Sequence, residues 1–148
     1  MGNLFDNKVL ITCLAAWILA QALKIPIEYL LRRRWNWALL FSMGGMPSSH
    51  SALVVSAAVS VGLYFGFDTP LFALAVVIAM VVVYDATGIR RQAGLHARKI
   101  NIMIDELLAG HPISDVQLKE VLGHSPREVI GGFVLGLLVP LLIWSLWK

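Results

Sequence analysis

The side chains of this sequence best suited to chemistry are four histidines, a lysine inside an apolar run, and arginines gathered where apolar runs end. His50 follows Pro47-Ser48-Ser49 in what reads as the first turn of a helix, His124 precedes Ser125-Pro126-Arg127-Glu128, and Arg90 and Arg91 follow a long apolar stretch. A helix opening at Ser48 and Ser49 points backbone N–H groups without intrahelical acceptors at whatever lies before it, an arrangement that favours an anion. Guanidinium groups match the edges of a phosphate and stabilise the charge that spreads over its oxygens during transfer. Imidazole titrates near neutral pH, so one histidine can attack phosphorus while another protonates the leaving oxygen. The attacking ring needs its second nitrogen held by an acceptor, and Glu128, four residues after His124, falls on the same helix face if the helix extends back that far. Lys24 lies about two turns inside its run, roughly 10 Å deep, where an ammonium is costly unless it faces a polar cavity or a partner.

These residues must be positioned by helices in a membrane. Only 14% of the 148 residues are charged, 58% are hydrophobic and the mean hydropathy is +0.76, whereas a soluble domain carries about 25% charged residues. Four apolar stretches, each near the roughly 20 residues needed to cross a bilayer, run over about 9–31, 51–67, 70–84 and 125–147. The predicted fold is all-α, an integral membrane bundle of four main transmembrane helices forming a single domain over 1–148. A short fifth segment over 38–43 precedes His50, and one or two amphipathic surface helices fill 85–125, one carrying Ile100, Met103, Ile104, Leu107 and Leu108 and another opened by a Ser114/Gln117 capping box. Thr69 and Pro70 read as N-cap and first helical residue of the third span, and Pro140 as a kink in the fourth. The stretch 9–22 resembles a signal-peptide core, but apolar character resumes through 25–31, so it is read as a retained span. The one cysteine, Cys13, excludes an intrachain disulfide and a cysteine metal site.

With four spans both termini share one side. The other receives Arg32, Arg33, Arg34, Arg90, Arg91, Arg98, Lys99, Lys119 and Arg127, nine of the twelve basic residues, and is therefore the expected cytoplasmic side. All four histidines fall there. The basic net charge of +3 thus reads as topology and anion binding, with the bilayer rather than nucleic acid as partner.

The stretches Pro47-Ser48-Ser49-His50 and His124-Ser125-Pro126-Arg127-Glu128 resemble the type 2 phosphatidic acid phosphatase superfamily, which includes the vanadium haloperoxidases. Its motifs are KxxxxxxRP, PSGH and SRxxxxxHxxxD. With residues 44–52, 85–94 and 122–128 taken together, the chain is similar to the superfamily's divergent branch of small bacterial and plastid-type membrane proteins. The resemblance implies that His124 is the nucleophile, His50 the acid, Glu128 the carboxylate orienting His124, Arg90 or Arg91 the motif arginine and Lys24 the motif lysine. It also implies hydrolysis of a phospholipid or polyprenyl phosphomonoester or pyrophosphate through a phosphohistidine, with no metal and no cofactor. Ser49 stands in place of glycine, Glu128 in place of aspartate, and more than thirty residues separate Arg91 from His124 where the pattern has five. The expected setting is the bacterial inner membrane with the site facing the cytoplasm.

Each residue has a structural reading beside the chemical one. Ser125 and Glu128 form a capping-box pattern with Pro126 at the first helical position, which explains Glu128 without catalysis. Lys24 could pair with Glu28, and Asp85 with Arg90 or Arg91; Arg32 to Arg34 serve topology, and His96 and His111 read as surface residues. Gly131, Gly132 and Gly136 read as close helix-packing positions. The competing function is a non-catalytic lipid-phosphate binding or transport protein. A bundle this small could also enclose its site by self-association.

Overall fold

The computed structural model describes residues 6–42, 44–108 and 124–147, without the side chains of 89–91, 106 and 108. The described residues form helices and no strand: α1 (Lys8–Arg32), a 3₁₀ turn (Trp37–Phe41), α2 (Ser49–Phe65), α3 (Pro70–Thr87), α4 (Ile89–Leu108) and α5 (Pro126–Leu146). The chain is thus the all-α membrane bundle that its hydropathy pattern predicts. Three of its helices, α1, α5 and the run opened by Pro70, are long and apolar enough to cross a membrane. The remaining predicted span, 51–67, is α2, shifted by two residues and with the same 17 residues, about 25 Å at 1.5 Å per residue, against a hydrocarbon core of about 30 Å.

The shortness of α2 goes with its place at the centre. Nine of its residues are buried while α3 buries two, and α1, α3 and α5 all pack against it. Its Ser51, Ala52, Ser56, Ala58, Ser60 and Gly62 are small, and in lipid, where apolar burial drives little association, small residues let helix backbones approach. The glycines of α5 do the same from the other side. A Cβ on Gly132 would strike the Ser48 carbonyl oxygen, and one on Gly136 would lie 3.0 Å from the Ala52 carbonyl oxygen.

Local signals set the helix ends. Asn7 caps α1 by accepting from the Leu10 amide at 3.1 Å, and Arg33 closes it in the left-handed region with φ 57°. Thr69 accepts from the Phe72 amide with Pro70 in the first turn of α3, as its sequence predicts. Tyr29, Trp35 and Trp37 stack in succession beside the arginine triplet, with centroids 4.5 and 6.2 Å apart, the aromatic belt of a membrane interface. At the opposite end Lys8 Nζ donates to the Trp147 carbonyl at 3.1 Å. The start of α1 and the end of α5 therefore meet, as an even number of spans requires. The amphipathic helix expected near Ile100 is α4; the one expected to open at Ser114, and His111, lie outside the described residues.

Candidate functional site

Four chain segments meet at the end of the bundle away from Lys8 and Trp147. The first is the start of α2, where Ser48 is the N-cap and is fully buried. Its hydroxyl accepts from the Ser51 amide at 3.3 Å and from the Ser51 hydroxyl at 3.0 Å, while its own amide donates to the Glu128 carbonyl at 2.8 Å. Ser48 is thus committed to holding α2 against α5. Ser49 is buried as well, His50 is half-buried, and as the first two helical residues neither amide has an intrahelical acceptor.

The second segment leads into α5. His124 is 4% exposed, and its amide donates to the carbonyl of Ala86, near the end of α3, at 3.1 Å. Its Nδ1 lies 2.9 Å from Oε2 of Glu128. A carboxylate can only accept, so Nδ1 carries the proton and Nε2 presents its lone pair. The His50 ring centroid is 6.0 Å from that of His124. The rings are too far apart to bond to each other and close enough to bracket one phosphoryl group.

The two readings of Glu128 prove compatible. The same Oε2 that holds His124 accepts from the Ser125 amide at 3.3 Å, and Ser125 Oγ accepts from the Glu128 amide at 3.4 Å, completing a capping box. The cap fixes the carboxylate, and the carboxylate fixes the ring. Glu128→Ala should therefore lower stability by about 1 kcal/mol, the usual value of a cap, and reduce turnover by more than that loss explains. Glu128→Gln, which keeps an acceptor for both donors, should melt within a few degrees of wild type in detergent, yet turn over at least about tenfold more slowly because the charge that stabilises a cationic His124 is gone. Equal turnover by wild type and Glu128→Gln would reduce Glu128 to a cap.

The third segment is α1. Lys24 is 1% exposed, and its Nζ donates to the Ser42 carbonyl at 2.9 Å, under the turn containing Gly45. The pairing of Lys24 with Glu28 is not formed: Glu28 meets Arg32 instead, at 3.4 Å, because Lys24 turns into the bundle while Arg32 stays in the solvent-facing last turn. The fourth segment is the junction of α3 and α4, whose first turn holds Arg90 and Arg91. Their side chains lie outside the described residues. His96 is exposed on α4, as expected of a surface residue.

Sequence reasoning found the side chains and missed the backbone groups that place them. The carbonyls of Ser42, Ala86 and Glu128 anchor Lys24, His124 and Ser48, and no residue type announces a carbonyl. Among the described residues no three His, Cys, Asp or Glu side chains gather as a metal site.

A family model described as the Divergent PAP2 family matches residues 5–139. The chain belongs to this divergent PAP2 family. The chain is also similar to the "Uncharacterized membrane protein YuiD" of Bacillus subtilis (strain 168), 40% identical over 152 residues that cover 95% of this chain and 96% of the relative. No solved structure matches. In this divergent PAP2 protein the fold brings the Pro47 to His50 and His124 to Glu128 segments, both inside the matched residues, to one end of the bundle.

Proposed function

We infer that the protein hydrolyses a lipid phosphate, as a monoester or pyrophosphate of a phospholipid or polyprenyl lipid, at the cytoplasmic face of a bacterial inner membrane. The observation that carries this is the oriented pair: His124 held through Nδ1 by Glu128 at 2.9 Å, with the His50 ring 6.0 Å away. Nε2 of His124 attacks phosphorus and the bond from phosphorus to the leaving oxygen breaks, while His50 gives that oxygen a proton. Water then attacks the phosphohistidine, His50 takes a proton from it, the P–N bond breaks, and phosphate leaves with Nε2 restored. Glu128 stabilises the imidazolium character that His124 acquires. The first-turn amides of α2, Lys24 and an arginine from Arg90 or Arg91 hold the phosphoryl oxygens. Each of these roles is supported by position at the same end of the bundle.

The test is phosphate release by purified protein in detergent from phosphatidate, phosphatidylglycerophosphate and undecaprenyl phosphate or pyrophosphate, with EDTA present. Release that vanadate suppresses is the expected result. Folded protein that binds vanadate and releases no phosphate from any of the lipids would instead establish the binding or transport reading.

A further inference from the structure

Between α2, α3 and α5, starting one to two helical turns from the residues that hold His124, lies a cavity of about 310 Å³ lined only by apolar side chains. It is at the lower end of the range for ligand pockets, about 300–1,000 Å³. Its near end is set by Val83 on α3, three residues before the Ala86 whose carbonyl holds His124, and by Phe133 on α5, five residues after Glu128. From there it follows α3 down to Phe72. Eleven residues at 1.5 Å each make a run of about 16 Å.

The far end has a floor. Phe67 and Phe72 meet edge to face with centroids 5.2 Å apart, and both line the cavity. Phe67 reaches this place because Gly62 has no side chain: a Cβ there would collide with the Phe67 ring. The cavity therefore runs from one to two turns below the site to an aromatic pair that α2 leaves room for.

We propose that this groove seats the hydrocarbon chain of the lipid phosphate whose head lies between His50 and His124, and that the Phe67–Phe72 pair sets the length of chain it accepts. The proposal rests on the functional reading above for the position of the head. At about 1.2 Å per bond of an extended chain, 16 Å holds roughly a dozen carbons. The polar head cannot enter, because the lining offers it no hydrogen bond. A chain aligned in this way holds its phosphate at the mouth, next to the histidines.

The experiment uses dodecyl phosphate carrying a diazirine at its terminal carbon, photolysed with the full chain in detergent and mapped by peptide mass. Alongside it, release from butyl, dodecyl and hexadecyl phosphate is compared for wild type, Ala79→Phe and Phe72→Ala. Labelling should concentrate on the peptides containing Phe67 and Phe72. Ala79→Phe, which fills the groove midway, should cut release from dodecyl phosphate at least tenfold and leave butyl phosphate within twofold. Phe72→Ala should raise hexadecyl relative to dodecyl turnover by severalfold. Labelling spread over the outer faces of α1 and α5, or equal losses on all three esters in Ala79→Phe with unchanged preference in Phe72→Ala, would overturn the groove and leave the histidine site standing. Floor labelling without release from any ester would support the groove and overturn hydrolysis.

Discussion

His124→Ala is expected to lower phosphate release from the best lipid substrate by at least about a thousandfold, some 4 kcal/mol of barrier. In the proposed mechanism the side chain removed carries the attacking atom, and among the described residues its neighbours do not replace it: Glu128 has one oxygen committed to the Ser125 amide and Ser48 is sealed in its cap. The loss is not a folding effect, because the anchor of this segment to α3 is the His124 amide, which alanine keeps. His50→Ala should cost about 10²–10⁴-fold on a lipid phosphate, the usual range for a general acid. On an aryl phosphate, whose leaving oxygen departs without a proton, the His50 loss should shrink while the His124 loss persists. Full activity of the His124 variant would remove the mechanism, and equal sensitivity of His50→Ala to both leaving groups would remove the acid.

Gly132→Val is expected to prevent assembly of the bundle, or to destabilise it by at least about 3 kcal/mol, the upper part of the range for overpacking. Its Cβ would meet the backbone carbonyl of Ser48 and, at 2.9 Å, the Ser51 Cβ. Neither is the mobile end of a side chain. Relief requires α5 to move away from α2, which would stretch the bond from the Ser48 amide to the Glu128 carbonyl. Gly131→Ala is the control: its Cβ would meet Pro47 Cβ at 3.3 Å and the flexible end of Met46 at 3.4 Å, so it should melt close to wild type. Thermal denaturation in one detergent compares them, and a Gly132→Val protein as stable as Gly131→Ala would show that the close approach carries no weight.

Much of the fold was legible because the bilayer imposes length. Runs near 20 apolar residues, an N-cap at Thr69 and a proline after it have one economical reading, and α3 follows it. The span expected over 51–67 appears two residues earlier as α2, with the same length, because Ser48 caps it; its 17 helical residues are shielded by three neighbours and so escape the length that lipid contact demands. The glycines of α5 were legible as packing positions through spacing alone, but their partners, Ser48 and Ala52, were not. In the site, the spacing of His124 and Glu128 pointed to their contact, but by a different route: His124 lies before the Ser125 cap and outside α5, so the capping turn rather than a shared helix face brings the two side chains together. The capping pattern seemed to compete with that contact only because a sequence cannot show that one carboxylate oxygen serves both donors. Lys24 was legible as buried, while its acceptor was not, because Ser42 is eighteen residues away and contributes only its carbonyl.

The bond between the Ser48 amide and the Glu128 carbonyl also fixes an order of events during biosynthesis. Helices α1, α2 and α3 leave the ribosome before α5 and can enter the bilayer as a set, but His50 then stands alone, and the seam that will receive Gly132 and Gly136 is open to lipid. Only when α5 packs along α2 do His124, Glu128 and His50 come within reach of one another. On the proposed mechanism, a nascent chain would therefore be chemically silent until this late docking step completes the site.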